Sequence, residues 1–123
     1  MSFLEDLPPN CPTPNSTNIA LTDVWRFLKG TSVQANCFDS HAKRGVPRRP
    51  DVSECEHASC SLFIGDAKTK EMLKLQRFKN FKARAELAIP AGSGMCLIED
   101  SHVHFWAYRA FAFSSAVVRV EQK

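Results

Sequence analysis

The 123-residue sequence predicts a single α+β domain, a mostly antiparallel sheet of about six strands carrying two helices. Three observations support that prediction. A chain of this length buries roughly two-thirds of its unfolded surface, enough for one core and not for two. Residues 82–89 alternate strictly, with Ala83, Ala85, Leu87 and Ile89 on one side and Lys82, Arg84 and Glu86 on the other. Strand-forming segments then dominate the second half instead of alternating with helices, which favours an antiparallel sheet over a doubly wound one.

The elements follow in order. Residues 1–18 contain four prolines among Asn, Ser and Thr, so they read as an irregular arm, with the domain spanning 19–123. In residues 21–30, Thr22 could cap a helix with Val24, Phe27 and Leu28 on one side. The short length, the aromatics and Gly30 favour a strand instead. Residues 31–44 predict a helix capped by Thr31 or Ser32 and ended by Gly45. A loop with Pro47 and Pro50 occupies 45–58, and residues 59–64 form a buried strand. Gly65-Asp66 then opens a helix over 67–78 with Met72, Leu75 and Phe78 in one stripe. Past the turn at 90–94, strands are expected over 95–98, 102–113 and 115–120.

Composition excludes a disordered or fibrous chain. No window approaches the ~20 apolar residues of a membrane helix, and the N-terminal residues lack the basic and apolar regions of a secretory signal. Five cysteines, an odd and irregularly spaced number, therefore suggest reduced thiols and a cytoplasmic protein. Net charge is +3, but seven cations lie between Lys68 and Arg84 against the single acid Glu71. Lys43, Arg44, Arg48 and Arg49 make a second cluster, so an anionic partner is expected. Within the first run, Lys74, Arg77, Lys79, Lys82 and Arg84 are candidate anion-binding residues, with Phe78 and Phe81 interleaved as stacking rings for a nucleic acid.

Chemistry concentrates in residues 101–108. Strand alternation puts His102 and His104 on one face with Trp106 and Tyr108, and Val103, Phe105 and Ala107 on the other. Two imidazoles beside aromatic rings suit a pocket wall with acid, base or anion-binding roles. Arg26 lies inside an apolar segment, where it must either pair with an acid such as Glu99 or Asp100 or face a polar cleft. Cys55, His57 and Cys60, completed by His102 and His104, would give zinc donors, but Cys-x-His-x-x-Cys is not a knuckle spacing and the expectation is no metal. Cys37 and His41 would be neighbours on the predicted helix, a possible nucleophile and base without a third partner. The Gly92-Ser93-Gly94 turn opens no helix and lacks the context of a phosphate loop.

Val24-Trp25-Arg26-Phe27, Ser59-Cys60-Ser61-Leu62-Phe63, a helix starting at Asp66 and the strand from Ala83 to Pro90 together resemble compact ADP-ribosyltransferase-like domains. These include the bacterial Arg-Glu-Ser toxins and the rifampicin-modifying transferases. The resemblance implies NAD as cofactor, held by Arg26, with Ser59 or Ser61 lining the nicotinamide pocket. It assigns the assisting acid to Glu99, with His102 and His104 where the family has an acidic pair. The chain also resembles small bacterial proteins in general. Two functions are therefore expected: an NAD-using transferase of this kind, or a non-enzymatic module whose basic face over 68–84 engages nucleic acid or an acidic protein.

Overall fold

The computed structural model describes residues 2–123. Six strands form one antiparallel sheet: β1 (Leu21–Leu28), β2 (Cys60–Ile64), β3 (Ala83–Ile89), β4 (Gly94–Glu99), β5 (His102–Ala107) and β6 (Val117–Gln122). Their order across the sheet is β4-β5-β2-β1-β3-β6. Two short helices, α1 (Glu54–His57) and α2 (Asp66–Met72), accompany it, with 3-10 turns at Ala35–Phe38, Gln76–Phe78 and Phe113–Ala116. The α+β class and the numbers of strands and helices agree with the sequence, although only α2 lies where a helix is expected.

Register separates the two faces. On one, Leu21, Val24, Leu62, Leu87, Val103 and Phe105 are buried under Phe38 and Phe113, whose rings stack at 4.6 Å. Each such side chain contributes about 1.5–3 kcal/mol on full burial. The opposite face carries Trp25, Phe63, His102, His104 and Trp106, because β2 pairs with β5 as Ser61↔His104 and Phe63↔His102. Helices α1 and α2 lie on this second face. Cys55 of α1 accepts the Trp106 indole N–H through its carbonyl, and Asp66 of α2 holds Arg84.

Several local expectations fail, each for a tertiary reason. The helix expected over 31–44 shrinks to Ala35–Phe38, because the Arg26 guanidinium takes the Cys37 and Asp39 carbonyls that a helix would use internally. The helix expected over 67–78 stops at Met72 and buries Thr69 and Leu73, while Leu75 is exposed. The loop over 45–58 contains α1, capped by Ser53, whose hydroxyl accepts from the Glu56 amide while the Glu56 carboxylate reaches back to the Ser53 amide. The strand expected over 102–113 ends at Ala107, and the last strand starts at Val117.

Residues 2–18 form no named strand or helix, yet are fastened at several points. Phe3 bridges to Tyr108, Thr17 pairs with Cys96 on the outer edge of β4, and the Ser40 amide and hydroxyl donate to Glu5. A disulfide joins Cys11 to Cys55, contrary to the expected reduced thiols, while Cys37, Cys60 and Cys96 are free. No described helix is long and apolar enough to cross a membrane.

Strands β1 and β2 are partners only at Val24↔Ile64 and Trp25↔Phe63, and beyond that pair they part. The Ser61 carbonyl, which faces β1, accepts instead from Arg26 Nη1 at 2.9 Å. Arg26 Nε donates to the Cys37 carbonyl at 2.8 Å and Nη2 to the Asp39 carbonyl at 3.2 Å. One guanidinium thus satisfies three backbone acceptors where the sheet opens, and an acid partner for Arg26 is not what the fold uses.

Candidate functional site

The opening between β1 and β2 leads into a cleft of about 790 Å³. Strand β1 contributes Arg26, Phe27 and Leu28, and β2 contributes Ser61 and Phe63. Both faces of the sheet reach this cleft because the strands have separated. The rest of its wall comes from the segment around Cys37 and His41, the loop with Arg44 and Arg49, and the turn carrying Arg77, Phe78 and Phe81.

Charge and aromaticity characterise the lining. Arg26, Lys29, Arg44, Arg49 and Arg77 are cations, and no carboxylate accompanies them. Lys29, Arg44 and Arg77 have no acid partner among the described residues, while Arg49 is 3.8 Å from Asp51. Phe27 packs against Phe78 at 5.1 Å and Phe81 at 5.8 Å, and stacks on Phe63 at 5.3 Å. Phe63 in turn stacks on His102 at 4.8 Å. The rings form one continuous wall from the turn after α2 to β5.

The cleft imidazoles add no charge at neutral pH. Burial, reinforced by the charge of His104, lowers His102 to about 4. Its Nε2 is buried without a hydrogen-bond partner among the described residues. Burial likewise lowers His41, with Arg44 and Arg26 contributing. The field in the cleft therefore comes from guanidinium and ammonium groups.

Beyond His102 lies a second group. The His104 ring centroid is 4.2 Å from that of His102, and its side chain is only 7% exposed. His104 Nε2 lies 3.0 Å from Glu99 Oε1 and 3.3 Å from Glu56 Oε2, while Nδ1 is 3.3 Å from Ser59 Oγ. These donors from Glu56, Glu99 and His104 all lie within 4.8 Å of one another, so they are the described residues placed to hold a metal ion. Burial raises the Glu56 carboxyl, but hydrogen bonds from the Ser53 amide and hydroxyl, with His104 and Glu99 nearby, leave it below its ordinary value.

The residues singled out by sequence divide between these places. Arg26, Ser61 and His102 share the cleft, whereas His104, Glu99 and Ser59 belong to the neighbouring group. Arg84 is a correction, because it is an interior residue and no surface anion site. It is 2% exposed, bonded to Asp66 and Glu121, and seated over the Trp25 ring at 3.9 Å. Lys74 pairs with Glu71 at 3.1 Å, Arg77 turns to the cleft, and Lys79 and Lys82 are exposed.

The cysteine and histidine residues weighed as zinc donors are engaged elsewhere. Cys55 is in the disulfide, His57 Nε2 bonds the Val46 carbonyl, and Cys60 lies in the core on the opposite face. Cys37 and His41 both line the cleft, but the helix that would have made them neighbours does not form. Lys29, Phe63 and Glu56 were missed as site residues. Alternation with Ser61 could have found Phe63, and the Ser53-x-x-Glu56 capping box could have placed Glu56 at a helix start. Compared with protein-family models, with curated proteins and with solved structures, the chain has no match in any of the three.

Proposed function

We propose that the cleft between β1 and β2 binds an anionic ligand with a flat apolar body, of the nucleotide class, with NAD as the form that the resemblance implies. The observation that supports this most is the lining itself: five cations, no carboxylate and a continuous aromatic wall around about 790 Å³. Phosphates would meet the cations near Arg44 and Arg77, and a base would stack on the Phe27 and Phe63 rings. Arg26 acts chiefly as the wedge that keeps the strands apart, since three of its five N–H groups are already bonded. The acid that the resemblance assigns to catalysis, Glu99, rests on His104 outside the cleft lining, so the proposal concerns binding and not transfer.

The alternative, a nucleic acid or acidic protein held on residues 68–84, has less support. Arg84 is internal, Lys74 is paired and Arg77 turns into the cleft, which splits the run. An oxidising compartment fits the Cys11–Cys55 bridge better than the cytoplasm does. Thermal denaturation with NAD, ADP and inorganic phosphate tests the binding proposal. A ligand at about ten times its Kd contributes about 1.4 kcal/mol, about 5 °C for a chain of this size. NAD or ADP should give that shift, phosphate less, and Arg44→Glu with Arg77→Glu should remove it. No shift with either nucleotide at millimolar concentration would refute the proposal.

A further inference from the structure

We propose that Glu56, Glu99 and His104 form a binding site for a divalent transition-metal cation of the zinc class, with solvent completing its coordination. The distances suit such an ion before any movement. His104 Nε2 is 3.0 Å from Glu99 Oε1 and 3.3 Å from Glu56 Oε2. Ligand atoms around a tetrahedral ion with bonds of ~2.0–2.1 Å stand about 3.3 Å apart.

The hydrogen-bond inventory fixes which ring nitrogen faces the carboxylates. Ser59 Oγ has one proton, and it is donated to the Glu56 backbone carbonyl at 2.6 Å. At 3.3 Å from His104 Nδ1, the same oxygen can therefore only accept, so Nδ1 carries hydrogen. With hydrogen fixed on Nδ1, Nε2 is the ring atom directed at the two carboxylates and the one left to share a cation with them. An acceptor on the remote ring nitrogen, here the Ser59 hydroxyl, orients a metal-binding imidazole as a carboxylate or backbone carbonyl does elsewhere.

The carboxylates are arranged in the same sense. Glu56 Oε1 is engaged by the Ser53 amide and hydroxyl, which leaves Oε2 directed at His104. Glu99 is 57% exposed at the end of β4 and opens the site to water. One imidazole with two carboxylates suits zinc, manganese or ferrous ions better than the all-oxygen preference of magnesium or calcium. The competing arrangement is a doubly protonated His104 held by both acids with no ion.

The test uses the full chain after dialysis against EDTA, titrated with zinc by calorimetry and with Co(II) by visible absorption. One equivalent should bind, with cobalt bands of a nitrogen–oxygen ligand set. Glu99→Gln, at an exposed position that leaves the core intact, should weaken binding at least tenfold. Ser59→Ala should weaken it about tenfold, the usual loss on removing an imidazole's outer support. Glu71→Gln, at an exposed carboxylate paired only with Lys74, should bind as the parent does. The proposal fails if neither ion binds at 100 µM, if one equivalent binds equally well in Glu99→Gln and Ser59→Ala, or if nitrogen NMR at saturating zinc finds His104 still protonated on both nitrogens.

Discussion

Replacing Arg84 by Met separates an interior from a surface role for this residue more cleanly than any other change. Methionine keeps most of the stem volume and removes the guanidinium. Arg84 donates to the Asp66 carbonyl at 2.6 Å and to Thr69 Oγ1 at 2.8 Å, both within the packed face under α2. Bonds from a charged donor contribute about 1.5–3 kcal/mol each. Stacking over Trp25 at 3.9 Å adds about 1–2 kcal/mol for a desolvated pair. The carboxylates of Asp66, 54% exposed, and Glu121, 35% exposed, can be rehydrated, so their ion pairs are left out of the sum. Methionine recovers part of the loss through its own apolar contacts. The expected cost is about 3 kcal/mol, a fall in Tm of about 10 °C for a chain of this size. Urea unfolding followed by far-ultraviolet circular dichroism measures it, with Arg84→Lys expected to retain part of the stability. A change below 1 kcal/mol, together with weaker nucleotide binding, would return Arg84 to the surface role that its sequence position suggests.

Two further outcomes follow from the same geometry. Cys11→Ser opens a loop of 44 residues, which the chain-entropy argument values at about 4 kcal/mol, and limited proteolysis should then cut within residues 2–18. Unchanged stability and unchanged cleavage would mean that the bridges of Phe3 and Thr17 and the Glu5–Ser40 bonds hold the arm without the disulfide. His102 gives a pH dependence of defined sign. Its folded value, about 4, lies below the ordinary 6.5, so the unfolded chain binds more protons between them. Stability is fully present above pH 6.5 and falls as pH drops toward 4, by up to about 3.4 kcal/mol and, after solvent screening of this half-buried ring, by about 1.5 kcal/mol. His102→Gln should flatten that part of the stability–pH curve, and an unaltered curve would show that the folded chain protonates His102 as readily as the unfolded one.

The sheet is legible because strand alternation is a local property. The pattern over 82–89 fixes which side of β3 meets the core, and the observed burial of Ala83, Ala85, Leu87 and Ile89 follows it. What the sequence hides are long-range bonds that outcompete local preference. Residues 31–44 have acceptable helix signals, but Arg26 claims two of their carbonyls from a neighbouring strand. The pairing of Cys11 with Cys55 leaves no trace at the level of spacing. Site residues show the same division. His102 and His104 share a face as alternation requires, yet Arg26 has the opposite parity from Trp25 and Phe27. It shares a cleft with His102 only because β1 and β2 separate, and no local pattern announces that separation.

The separation also explains how cations and carboxylates coexist on so small a sheet. Cations gather on the β1 side, and Glu56 and Glu99 gather on the β4–β5 side. Between them stands the ladder Phe27–Phe63–His102, uncharged at neutral pH. Were Glu99 to reach the cleft, it would neutralise the field that draws an anion there. Were His102 charged, it would compete with His104 for Glu56. Neutrality at His102 is thus a requirement of the arrangement, and burial against Phe63 is what imposes it.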